Sequence, residues 1–205
     1  MKPYDIKNER KTEHSVDKIF IERWSSRSLS SDVSEKEFMS LLEAAKWAPS
    51  SSNGQPWRFI YVKNGSKYWN TFYEFLNDFN KIWCKNAGYL LVLLSRKKFE
   101  PDEDGKEEIN RNHSFDSGSA WLSLALQARM KGLIAHAMAG FDLKKVREAL
   151  KIPETYNIEC MIAVGKQGEV EKSLPERMQK SEKPNARKTI KEISSEGIFP
   201  EKLWV

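Results

Sequence analysis

Two short segments hold residue types whose spacing suits a phosphorylated ligand. The first is Arg23-Trp24-Ser25-Ser26-Arg27. On an extended backbone alternate side chains share a face, so Arg23, Ser25 and Arg27 would point the same way. Two guanidinium forks and a hydroxyl match a phosphate monoester, which carries strong acceptor oxygens and negative charge. Taken alone, such a triplet reads more readily as a solvated polar loop, since triplets of this kind are common. The second segment is Pro49-Ser50-Ser51-Ser52-Asn53-Gly54-Gln55-Pro56-Trp57. Its hydroxyls, side-chain amides and backbone N–H groups could serve a flat heterocycle with donors and acceptors along one edge, and a polyol chain. Ser, Asn, Gly and Pro are also the ordinary makers of turns.

The elements around these segments follow from pattern. His14 to Trp24 reads as a short helix capped by Ser15, with Ile19 and Phe20 as apolar contacts. Ser25 to Val33 is polar. Ser34 and Glu37 form a capping box ahead of Phe38, Leu41, Leu42 and Ala45 at helical spacing, and Pro49 stops the run. Arg58 to Val62 predicts a strand closed by an Asn64-Gly65 turn. Lys67 to Lys85 predicts one helix, and Gly88 to Ser95 a buried strand. Arg96 to Asn112 reads as a charged surface loop or lid. Asp116 would cap a helix running to Lys131 and ending at Gly132. Asp142 to Leu150 predicts a short helix and Ile158 to Val164 a second apolar strand. Helices and strands without regular βαβ alternation imply an α+β fold.

The chain has 205 residues, 40% apolar and 31% charged, with no linker or repeat, and reads as a single domain over 1–205. Residues 1–13 form a polar N-terminal extension, and 165–205 an extended polar C-terminal tail ending in Leu203-Trp204-Val205. A tail with apolar side chains to bury suits packing on a dimer partner or an intramolecular strand. The longest clear apolar run, Tyr89 to Leu94, is too short to cross a bilayer, and 1–13 lacks a signal-peptide core, so no membrane partner is expected. Cys84 and Cys160 have neither CxxC nor metal-ligand spacing, which fits core residues of a reduced cytoplasmic protein with no metal. The +5 net charge, from 34 Lys and Arg against 29 Asp and Glu, is interspersed rather than clustered. It argues for mild attraction to anions and against a nucleic-acid partner. The dinucleotide G-x-G-x-x-G and the phosphate-binding G-x-x-x-x-G-K-[ST] are both absent.

Together and in order, the motifs resemble those of the FMN-dependent nitroreductase family. The resemblance runs through R-W-S-S-R, A-P-S-S-S-N-G-Q-P-W-R-F, F-N-K-I-W at Phe79 to Trp83, D-x-G-x-A at Asp116 to Ala120 and L-A-L-Q-A at Leu124 to Ala128. It continues through G-L-I-A-H-A-M-A-G-F-D at Gly132 to Asp142, then I-P-E, A-V-G-K and N-A-R-K. It implies a nitroreductase-like fold, a central mixed or antiparallel sheet surrounded by helices, in a homodimer with two flavin sites. By that resemblance Arg23, Trp24, Ser25 and Arg27 contact phosphate and ribityl chain, and Arg187 is a C-terminal phosphate-side arginine. A second basic residue is often found two positions earlier, where this chain has Asn185; Lys188 is an alternative source of that charge. Asn80 would reach the flavin's polar edge, and Trp83 stands where some members carry a lysine. Pro49, Ser50, Ser51, Asn53 and Gln55 would reach the flavin from the other subunit. Met138, Ala139 and Gly140 would lie along the flavin face with a backbone N–H near N5. Ala139 and Gly140 are small enough for a flat ring to approach the backbone, and a tight turn before Asp142 explains them as well.

The implied activity is an FMN-dependent oxidoreductase driven by NAD(P)H. It would reduce nitroaromatics, quinones or related small-molecule acceptors in two-electron steps by ping-pong turnover. A flavin carrier or sensor, reductive dehalogenation and flavin breakdown are the alternatives. No side chain is required as acid or base. His136, between Ala135 and Ala137, reads as packed or supporting rather than as a general acid.

Overall fold

The computed structural model describes residues 8–170 and 174–200. The chain is built on a five-stranded sheet in which every pairing among the described residues is antiparallel. In chain order the elements are α1 (Lys18–Glu22), β1 (Leu29–Ser30), α2 (Glu35–Lys46), β2 (Trp57–Lys63), α3 (Trp69–Tyr73), α4 (Asp78–Cys84) and β3 (Tyr89–Arg96). They continue as α5 (His113–Met130), β4 (Leu133–Met138), α6 (Leu143–Ala149), β5 (Tyr156–Gln167), α7 (Glu176–Gln179) and α8 (Ile190–Ile193). The sheet order is β2-β3-β5, with β4 along the other edge of β5 and β1 pairing near the end of β5 at Lys166 and Gln167.

Both faces of the sheet are covered. Leu90, Val92 and Leu94 of β3 pack with Trp69, Phe72, Trp83 and Val146. Tyr89, Leu91 and Leu93 face Phe38, Leu41, Leu124 and Ala128 from α2 and α5. Burial on both faces explains why β3 reads as a continuous apolar run instead of alternating.

The capping box forms as its spacing predicts: Ser34 Oγ accepts from Glu37 N, and the Glu37 carboxylate accepts from Ser34 N. Other boundaries differ. α1 starts at Lys18, capped by Asp17 rather than Ser15, whose position leaves it outside the helix. The expected helix over Lys67 to Lys85 divides into α3 and α4. Asn77 caps α4 by accepting from Asn80 N, and Leu76 bridges to Phe141, so the chain turns to meet β4's exit. Asp116 does not cap α5, which begins at His113. Its carboxylate instead accepts from the backbone N–H of Ser51, 3.1 Å away, and so ties α5 to the Pro49–Gln55 segment. β4 was not expected as a strand, and β5 extends well beyond Ile158 to Val164. Leu203 to Val205 lie outside the described residues.

Candidate functional site

α1 ends at Glu22, its cap Arg23 has an extended backbone, and the chain runs on through residues 24–28, with a bend at Arg27, into β1. Alternation does the rest. Trp24, Ser26 and Ser28 are buried, while Arg23, Ser25 and Arg27 are partly exposed on the opposite side. A residue far along the chain holds this segment. The buried Glu182 carboxylate accepts from Ser26 Oγ at 2.5 Å, Arg27 N at 2.7 Å and Ser28 N at 3.0 Å. The backbone donors are thereby occupied, which leaves side chains to face the solvent side.

Those side chains line a cavity of about 210 Å³ with Trp24, His136, Ser181 and Asn185. Its cations are Arg10, Arg23, Arg27, Lys183 and Arg187, and no carboxylate is among its lining residues. Arg10 comes from the polar N-terminal stretch. It donates to the backbone carbonyls of Ile21, Arg23 and Asn185 at 2.8–3.0 Å. Burial, with the Arg187 and Arg23 guanidiniums nearby, lowers its pKa. The crowding of like charge is a cost that a bound anion would relieve. Arg10 and Lys183 stand with Asn185 in this cavity, whereas Lys188 lines an adjoining groove that shares Arg10 and Arg187 with it. Arg10, Lys183 and Glu182 were not singled out in the sequence, since each sits in a polar run without periodicity.

A chain of contacts links this cavity to the end of β4. His136 Nδ1 lies 3.0 Å from the carbonyl of Ser26, which can only accept, so Nδ1 carries the proton. Burial above all pushes the imidazole pKa down to about 4, and Arg27 and Arg23 push the same way. The ring packs on fully buried Trp83, with centroids 4.5 Å apart. Trp83 Nε1 donates to Asn80 Oδ1 at 3.2 Å, and Asn80 Nδ2 donates to the Gly140 carbonyl at 2.9 Å. Asn80, 6% exposed, is thus engaged at both ends of its amide. Gly140 has a structural reason to be glycine: a Cβ there would stand 2.5 Å from Asn77 Nδ2 and 2.6 Å from Asn80 Nδ2. Met138 is buried, whereas Ala139 is exposed.

Residues 49–55 are not brought to this cavity within one chain. Ser52, Asn53 and Gln55 line a separate cavity of about 700 Å³ with Arg58, Phe99 and Lys106. Ser52, Asn53 and Gln55 all adopt positive φ, at 50°, 53° and 43°. Such non-glycine conformations persist only where surroundings hold them. Here Asp116 holds Ser51 N, and Ser50 Oγ accepts from Gln55 N at 3.0 Å. Pro49 is exposed and Ser50 half-buried. Among the described residues no cluster could hold a metal ion, and no helix is long and apolar enough to cross a membrane.

Known proteins share the fold. The family model described as "Nitroreductase family" matches residues 21–83 and 70–166, and the chain belongs to that family. A solved structure described as an oxidoreductase containing FMN is 37% identical, with a TM-score of 0.90 over 95% of this chain and 98% of its own. Protein DrgA of Synechocystis sp. is 30% identical over 67% of this chain and 76% of its own length. The oxygen-insensitive NADPH nitroreductase of Helicobacter acinonychis is 28% identical over 74% of this chain and 83% of its own.

Proposed function

We propose that this chain is an FMN-dependent oxidoreductase that takes hydride from NADH or NADPH and reduces a nitroaromatic, quinone or related conjugated electrophile. The observation that carries the reading is the crowding of Arg10, Arg23, Arg27, Lys183 and Arg187 around one small cavity without a lining carboxylate. The residues present fit the group. Arginine forks and the Ser25 hydroxyl suit its single phosphate, and the cavity opens beside β4, whose end carries the exposed Ala139. The FMN named for the 37% identical structure and the NADPH named for the Helicobacter relative support the same choice of cofactor and donor.

When bound, FMN supplies the two-electron chemistry, and the protein supplies position and electrostatics. Arg23, Ser25, Arg27 and Arg187, with Arg10 and Lys183, would hold the phosphate. Met138, Ala139 and Gly140 would support the ring, with Asn80 fixing Gly140 through its carbonyl. Trp24 is 7% exposed and would serve as packing behind the phosphate segment. Donor and acceptor would use one open face in turn, which is ping-pong kinetics.

A second copy of the chain completes this site. Pro49, Ser50, Ser51, Asn53 and Gln55 lie apart from the arginines in one chain, so a partner would deliver them. Its contact surface has a counterpart on α5: Phe115, Leu122 and Met130 are 79%, 46% and 64% exposed, and Leu126 between them continues the helical stripe. A single domain, with the tail after residue 165 reaching the partner, belongs to the same reading.

The test is anaerobic mixing of FMN-loaded protein with NADPH or NADH. The reductase reading expects rapid bleaching of the flavin's visible band, and return of colour on adding a quinone. Persistent colour with both donors would leave a flavin carrier as the better account.

A further inference from the structure

The turn formed by residues 51–55 is held at three points. Asp116 is 4% exposed, and its carboxylate accepts from Ser51 N. A second hold comes from residues 97–110, which form a closed hairpin rather than a loose charged loop. Asn110 N donates to the Lys97 carbonyl and Phe99 N to the Glu108 carbonyl, both at 2.9 Å, and Gly105 closes the turn at a φ of 76°. The Phe99 ring lies against Gly54, where a Cβ would stand 2.8 Å from Phe99 Cε1. Gly54 has an ordinary φ of −69°, while Ser52, Asn53 and Gln55 around it carry the positive values. This glycine is therefore not needed for backbone freedom; it leaves room for Phe99. The third hold is Arg58, which donates to the Gln55 carbonyl at 2.9 Å and pairs with Glu100 of the hairpin at 3.6 Å. The backbone is gripped, yet Ser52, Asn53 and Gln55 remain exposed.

We infer that Asp116 and Phe99 are positioning residues that act in trans: they hold the 51–55 turn of one copy in the shape in which it meets the flavin of the other. This rests on the shared-site reading and goes further by assigning residues that act through the turn. Three non-glycine residues at positive φ in five positions form an arrangement that a free chain rarely visits. A turn already held in that arrangement loses less freedom when it binds. A carboxylate is costly to bury, and here it is spent on one backbone N–H of a surface turn. The charged hairpin takes its place as a buttress. Arg96 pairs with Glu100 and Glu107, and Lys98 with Glu107, so the strand that carries Phe99 is tied to its neighbours. Loosening either hold leaves the arginine cavity of the same copy unchanged. The defect then falls on the partner's site.

The experiment measures FMN affinity by titration calorimetry on homodimers and on one mixed dimer. Asp116→Leu removes the acceptor and should weaken FMN about tenfold, the effect of one lost hydrogen bond. Asp116→Asn keeps an acceptor oxygen and should regain most of that loss. Phe99→Ala, outside both core clusters, should weaken FMN in the same direction. The mixed dimer pairs the Asp116→Leu chain with the Arg23→Ala/Arg27→Ala chain, each with its own affinity tag so that the pair can be isolated. If Asp116 acts in trans, one site combines intact arginines with an intact turn, and the other combines both defects. The mixed dimer should then bind about one FMN at wild-type affinity, against about two for the wild-type dimer. Phe99→Ala takes the place of Asp116→Leu in the pair should the buried change unfold α5. Two weakened sites and no tight one would mean that the turn serves the site of its own chain. Unchanged FMN affinity in either variant would mean that its hold does not matter to the flavin. Either result overturns the inference, as does failure to recover any mixed dimer, and each leaves the flavin reading standing. A wild-type protein that does not bind FMN removes both.

Discussion

Arg23 and Arg27 present charge from an extended segment whose backbone donors are already taken by Glu182. The anion's affinity must therefore come from side chains. Two charge-assisted contacts of roughly 1.5 kcal/mol each predict about a 100-fold loss of FMN affinity in the Arg23→Ala/Arg27→Ala double variant. Isothermal titration with FMN measures it; undiminished affinity would remove the phosphate role from both arginines. His136 gives a second prediction, about stability. Its folded pKa of about 4 lies below the ordinary histidine value of 6.5, so between those pH values the unfolded chain binds a proton that the folded chain refuses. Its contribution is complete above about pH 6.5 and is lost as pH falls toward 4, amounting to about 3 kcal/mol at most. Urea unfolding of wild type and His136→Phe across this window should show a steeper acid loss in the wild type. Parallel curves would contradict a neutral buried imidazole. At this scale the alternation of Arg23, Ser25 and Arg27 was legible because two-residue periodicity is a local property. Arg10 was not, because only the folded chain carries it from the N-terminal stretch to Asn185.

Elements whose ends are set by nearby residues match their sequence signals, as α2 does with Ser34 and Glu37. Elements set by tertiary contact do not. β4 carries no alternation, because both its faces meet packed residues, and nothing local separates Leu133–Met138 from a buried turn. The divided helix follows from Asn77, which caps α4 and donates its backbone N–H to the Gly140 carbonyl, a partner remote in sequence. Glu182 is the most consequential case. From the C-terminal segment it fastens the approach to β1, and a lone glutamate in a polar tail offers no pattern to mark it. Glu182→Ala would remove the acceptor of Arg27 N and leave Ser26 Oγ and Ser28 N to their longer contacts with one another. We expect a loss of about 2–4 kcal/mol by urea unfolding, together with weaker FMN binding. A variant with wild-type stability would show that the clasp does not hold the segment.

For the whole molecule, the α+β class was legible from irregular alternation of elements, but the strand order was not, since β5 gathers β1, β3 and β4 from distant parts of the chain. On the proposed reading, assembly is part of the site, since residues 49–55 lie apart from the arginine cavity within one chain. Leu122→Glu places a charge in the exposed α5 stripe and should shift the protein from dimer to monomer in analytical ultracentrifugation, with loss of bound FMN. A wild-type monomer that keeps FMN would contradict the shared site. The central claim, that the cavity and β4 hold FMN, is tested most directly by the absorbance spectrum of the purified protein before and after adding FMN and removing the excess. The account predicts a yellow protein with flavin bands, or a colourless one that retains FMN in equimolar amount. A colourless protein that FMN cannot reconstitute would contradict it.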